Sequence, residues 1–177
     1  MQSKDLHDLF HDTLKDIFYA EKQILKALPK MARAAQSNEL TAAFEKHLDE
    51  TEMQVERLQK VFELLDKPAR GKTCEAIIGI VDEGKEIMDD FKGSPALDTG
   101  LVASAQAVEH CEISRYGTLI TWAKTLGQKE IADLLSQTLA EEEATDKNLT
   151  KLAEASGQCE GGGLTADSPA GRRMATV

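Results

Sequence analysis

Apolar residues recur at every third or fourth position through four long stretches of this chain, and such stripes can be hidden from water only by packing helix against helix. Over residues 4–36 the stripe reads Leu6, Leu9/Phe10, Leu14, Ile17, Ile24/Leu25, Leu28 and Met31. Pro29 falls inside it, where a proline can kink or divide a helix. After "QSNEL", a corner with Ser37 or Asn38 available as N-cap, a second stripe runs over 39–66 through Leu40, Phe44, Leu48, Thr51, Val55, Leu58, Phe62 and Leu65. "DKPARGK" stops it. A shorter helix is predicted over 72–91 (Ile77, Ile78, Val81, Ile87, Met88, Phe91), followed by the break "KGSPALD", whose Ser94-Pro95 is a helix-start signal. The fourth helix is predicted over 96–126 with Gly127 as its C′ residue. The fifth is predicted over 128–155, with Ile131, Leu135, Leu139, Leu149 and Leu152 in step.

Short corners make the helices within 4–66 and within 96–155 antiparallel neighbours, while the long connection between these hairpins allows a crossover. The expected fold is all-α: a ferritin-like four-helix bundle over residues 1–156, with an extra short helix in the crossover. Sliding the chain by 91 positions sets Glu21 over Glu112, Leu40 over Ile131, Phe44 over Leu135, Leu48 over Leu139 and Leu58 over Leu149, an echo of two similar halves. The tail "GQCEGGGLTADSPAGRRMATV", 157–177, has no apolar period and is expected to be disordered unless a partner captures it.

Composition narrows the function. Acidic residues outnumber basic ones 31 to 21, a net charge of −10, and such a surface repels phosphate backbones. No nucleic-acid partner is expected, Arg172-Arg173 being a small basic exception. Cys74, Cys111 and Cys159 are odd in number and widely spaced, which fits reduced thiols in a cytoplasmic protein better than a disulfide framework or zinc site. No run approaches the ~20 apolar residues of a membrane span.

The informative residues are polar ones on inward stripes. Glu21 lies one turn from both Ile17 and Leu25; His47 and Glu50 sit beside Phe44, Leu48 and Thr51. Glu109 and Glu112 are flanked by Ala105, Val108 and Tyr116, and Glu142 and Asp146 lie between Leu135/Leu139 and Leu149. Glu141 competes with Glu142 for the inward direction. His7, His11 and His110 read as ordinary histidines. A buried ionised carboxylate is expensive without an opposite charge, and no lysine or arginine occupies these stripes at that depth. Carboxylates with one imidazole suit hard first-row cations, and donors from four facing helices at one level are how a bundle builds a two-metal site.

In "LHDLFHDTLKDIFYAEKQILKALPKMA", "FEKHLDETEMQVERL", "AVEHCEISRYGTL" and "LAEEEATDKNL" the chain resembles the YciE/YciF-like stress proteins of bacteria, within the ferritin-like superfamily. The resemblance covers about residues 5–153. It implies a homodimeric bundle with a centre of two iron or manganese ions held by Glu21, His47, Glu50, Glu109, Glu112 and Glu142, with Asp146 a further candidate. The superfamily's usual Glu-x-x-His is reversed here as His47-x-x-Glu50, the fifth helix has no histidine, and Glu109-x-x-Glu112 is nearer the rubrerythrin-like pattern. The expected function is stress protection through peroxide or dioxygen chemistry, with Tyr116 or Tyr19 as candidate redox-active groups. The alternative is a non-enzymatic bundle that stores metal or serves as a scaffold.

Overall fold

A computed structural model describes residues 4–160, with side chains through residue 155. Five helices account for most of it: α1 (Leu6–Ala34), α2 (Asn38–Leu64), α3 (Glu75–Asp90), α4 (Leu97–Thr125) and α5 (Lys129–Glu160). The ends have visible chemical causes. Asp5 and Asp8 cap α1 reciprocally, each carboxylate accepting the other's backbone N–H at 3.1 Å. Ser37, not Asn38, caps α2 through Leu40 N–H at 3.2 Å. Gly127 stands at φ 73° beyond α4, and the bonds Gly127 N–H to Lys124 C=O and Gln128 N–H to Ala123 C=O complete a Schellman motif. The same pair of bonds closes α2 around Asp66, a non-glycine residue at φ 52°.

Two expectations change. Pro29 does not divide the first helix, since α1 continues past it to Ala34. The fifth helix does not stop near residue 155: it continues to Glu160, four residues into the segment read as tail, and the remainder of 157–177 lies outside the described residues.

Cross-helix bonds give the packing order. Gln36 and Ser37 N–H bond to Asp98 at 2.7 and 2.8 Å while Tyr116 reaches Glu21, so α1 and α4 run antiparallel. Arg57 meets Thr138 and Glu141 while His47 approaches Glu142, so α2 and α5 are antiparallel too. Each helix of the α1–α2–α5–α4 square thus opposes its neighbours, and α2 lies diagonally across from α4. The connection must traverse the bundle's length to start α4 at the same end as α2. Helix α3 makes that traverse, packed on α1 and α4. This is the ferritin-like bundle with crossover that the stripes specify.

The core is apolar on both sides of the middle. Phe10, Leu14, Phe18 and Phe62 close one end, with Phe18 and Phe62 edge to face at 5.3 Å. Each such fully buried side chain contributes about 1.5–3 kcal/mol of transfer free energy. That surplus is what tolerates the polar layer between the ends. Among the described residues no helix is long and apolar enough to cross a membrane.

Candidate metal centre

Glu21, His47, Glu109, Glu112 and Glu142 are buried at mid-bundle, all but His47 with no exposure at all. Each stands where a leucine would continue its helix's stripe: Glu21 one turn from Ile17, His47 one turn from Phe44, Glu109 and Glu112 among Ala105, Val108 and Tyr116, Glu142 one turn from Thr138. Periodicity alone therefore carries these groups inward from all four bundle helices.

His47, Glu109, Glu112 and Glu142 each present a donor atom within 4.8 Å of the others. His47 bridges the diagonal: its Nδ1 is 3.1 Å from Glu109 Oε1 and its Nε2 is 3.6 Å from Glu142 Oε2, without the alignment of hydrogen bonds. Its backbone carbonyl accepts from the Thr51 hydroxyl at 2.8 Å, a tie within α2. Glu21 joins through Tyr116, whose hydroxyl donates to Glu21 Oε1.

The electrostatics are those of crowded acids that burial and mutual repulsion drive to hold protons. Burial, then the nearby Glu142 carboxylate, pushes Glu21 up to about 8. Burial and Glu142 push Glu109 up to about 11. Burial, reinforced by Glu21 and Glu142, raises Glu112 well above the carboxylate range, and burial beside Glu21 raises the Tyr116 phenol. Both oxygens of Glu109, Glu112 and Glu142 and one oxygen of Glu21 have no hydrogen-bond partner among the described residues. Buried polar atoms ordinarily have one. Seven carboxylate oxygens and an imidazole nitrogen left unpartnered in one small volume are the donor set of a hard-cation site, so the residues present fit such a group.

Other candidate positions lie apart from the group of four. Glu50 turns to Lys46 with one oxygen, while its other oxygen is buried and without a partner. Asp146, partly exposed, faces His110 Nε2 at 3.2 Å and the Gln106 amide at 3.3 Å. Glu141 is held outside the cluster by Arg57 through two bonds of 2.9 Å and by Gln54 at 3.1 Å. Arg57, which also donates to Thr138 at 2.6 Å, is thereby kept on Glu141 rather than on the buried carboxylates. Sequence reasoning missed this Arg57–Glu141–Gln54–Thr138 clasp, although Gln54 and Arg57 three apart on α2 were a signal for it. Tyr19 is half-buried at the stripe's edge and Tyr116 is wholly buried.

Comparisons with known proteins agree with this architecture. The family model described as "Domain of unknown function (DUF892)" matches residues 5–160. Protein YciF of Escherichia coli strain K12 is 42% identical over 154 residues, 86% of this chain and 93% of YciF. The crystal structure of the E. coli stress protein YciF superposes with a TM-score of 0.85 at 41% identity, covering 88% of this chain and 99% of that one. YcfI of Rhodopseudomonas palustris, described as a candidate structural protein, superposes with a TM-score of 0.82 at 44% identity, covering 84% and 95%. With the family match spanning nearly the whole bundle and a stress protein aligned over most of its length, this chain belongs to the DUF892 family and is a YciF-like protein.

Proposed function

We propose that the mid-bundle cluster binds two iron or manganese ions and that the protein handles peroxide or dioxygen as part of a bacterial stress response. The observation that carries the reading is the set of unpartnered donors of His47, Glu109, Glu112 and Glu142 within 4.8 Å of one another. These four would hold the ions, with the free oxygen of Glu21 as a fifth donor. Glu50 and Asp146 would complete the set after leaving Lys46 and His110. Bound there, iron or manganese supplies reversible electron exchange with peroxide or dioxygen. The chain's own part is to position and to shield. Tyr116 fixes the Glu21 carboxylate through its hydroxyl and holds a proton at that oxygen. The Arg57 clasp keeps Glu141 turned away, and the apolar core at either end excludes water.

The YciF relative is named a stress protein, which supports the physiological half of the reading. The candidate structural role given to the R. palustris relative favours the alternative, a non-enzymatic metal-binding or scaffold bundle. The homodimer that the family resemblance implies is part of the proposal. Elemental analysis of chelator-free protein, with peroxide consumption assayed on the same sample, tests the proposal. Two ions per chain with turnover is the expected result, and both are lost in Glu112→Ala and Glu142→Ala. Metal without turnover leaves the binding alternative; full metal content in both variants overturns the site.

A further inference from the structure

A cavity of about 170 Å³ opens where α3 lies across α1 and α4, and its inner end is formed by His47 and Glu109. Its walls are apolar: Ile24, Leu28 and Met31 from α1, Ile80, Val81 and Met88 from α3, Ala105 and Val108 from α4. Gly84 contributes backbone alone to the α3 wall, 3.5 Å from Ser104 measured at the Cβ it lacks. The rim is of a different kind. Lys26, Lys30 and Lys85, all exposed, line it, while Glu109 at the far end is its one acidic lining residue. None of the three lysines is ion-paired with a described residue. Lys26 donates to the neutral Gln23 amide oxygen at 3.4 Å, and three cations without an acidic partner about an apolar opening stand out in a chain of net charge −10.

The geometry points to a binding site for a short aliphatic carboxylate, its hydrocarbon chain in the cavity and its carboxylate at Lys26, Lys30 and Lys85. Size sets the chain length. Cavities near 150 Å³ with such walls accept a benzene-sized guest, so a chain of about six carbons fits and a long fatty acid does not. Charge sets the orientation. A carboxylate at the inner end would give up its water among apolar walls, away from the three lysines, whereas at the rim it meets their ammonium groups. Met31 and Met88, unbranched and adaptable, let the walls close on guests of slightly different shape. The occupant's methyl end would then lie against His47 and Glu109, next to the proposed metal centre. The binding itself does not depend on ions being there.

Calorimetric titration with hexanoate, on chelated and on manganese-loaded protein, tests this. Saturable 1:1 binding of hexanoate, with hexanol and acetate each bound at least several-fold more weakly, is the expected result. Ala27→Phe, filling the mouth, should abolish binding. The surface double variant Lys30→Gln/Lys85→Gln, whose fold circular dichroism checks, should weaken hexanoate by up to about fivefold per lysine and leave hexanol unchanged. Absence of hexanoate binding, equal affinity for hexanol, or hexanoate affinity unchanged in the double variant would each overturn the proposal. Because chelated protein is titrated in parallel, a failure of the metal reading leaves this result interpretable.

Discussion

Five acidic or imidazole side chains sit where leucines would otherwise continue the core, so single substitutions there should act with opposite signs on the two forms of the protein. With ions present, removing a carboxylate removes a ligand. With ions absent, it removes an acid that burial forces to take up a proton on folding. Glu112→Gln keeps the shape and deletes the titrating acid, and with it the cost of protonating that acid on folding. At pH 8 its metal content should fall while the chelated variant melts higher than the chelated parent by about 2–4 °C, the shift expected for about 1 kcal/mol in a protein of this size. Differential scanning calorimetry beside elemental analysis checks both halves. A Glu112→Gln variant that melts lower in both forms would show the carboxylate to be paired by something other than a cation. The Arg57 clasp makes a second test at this scale. Its Glu141 partner is 27% exposed and Arg57 15%, so screening limits the pair to less than a fully buried one. Arg57→Ala should cost about 1–3 kcal/mol in urea unfolding, mainly from leaving Thr138 without its donor and Glu141 with the Gln54 amide alone. The stripe positions made the buried groups legible in the sequence, because periodicity places a side chain on a face whatever its chemistry. Periodicity says nothing about where the outer oxygens of Glu50 and Asp146 turn, and those were captured by Lys46 and His110.

At the scale of elements, helix existence followed from apolar spacing, and the ends followed from caps. Gly127 could be named as a C′ residue because glycine adopts positive φ without penalty. Asp66 performs the same role at φ 52° with no such signal in its side chain. Asp66→Gly should therefore stabilise the protein by about 0.5–1 kcal/mol, visible as a higher urea midpoint at unchanged slope. A lower midpoint would mean that the aspartate side chain contributes something the backbone bonds do not. Helix α3 was legible as a helix, but its role as the outer wall of a cavity was not. That role depends on how close its backbone comes to α4, and the sequence carries this only as Gly84 and Gly100. A Cβ on Gly100 would lie 2.7 Å from Ile87 Cγ2, so Gly100→Ala should push α3 outward at a cost of about 1–3 kcal/mol. Hydrogen exchange would register the change in α3 before it reached α1 or α2.

For the molecule as a whole, the two hairpins repeat one apolar design but differ at its centre, where the echo sets Phe18 against Glu109 and His47 against Thr138. The 91-residue echo pairs buried with buried at Glu21/Glu112, Leu40/Ile131, Phe44/Leu135 and Leu58/Leu149, and half-buried with half-buried at Leu48/Leu139. At the level of the polar layer it sets Thr51 against Glu142, and α2 supplies His47 one turn earlier instead. The resulting carboxylate excess ties global stability to pH and to metal together. Glu21, at about 8 in the folded chain, and Glu109, at about 11, both titrate near 4.5 when unfolded, and burial is the leading cause in each case. Between those values the folded state binds more protons than the unfolded state, so stability falls as pH rises. Chelated protein should lose melting temperature steadily from pH 5 to pH 8. Metal ions work in the other direction, because they require the deprotonated ligands and so bind more tightly as pH rises. At a free-ion concentration 100 times the dissociation constant each ion adds about 2.7 kcal/mol, or about 5–11 °C per ion at this chain length. The gap between manganese-loaded and chelated melting temperatures should therefore widen from pH 5.5 to pH 8, and it should collapse in Glu112→Gln. A gap that is constant with pH, or that narrows, would mean that any ions bind somewhere other than among the buried carboxylates.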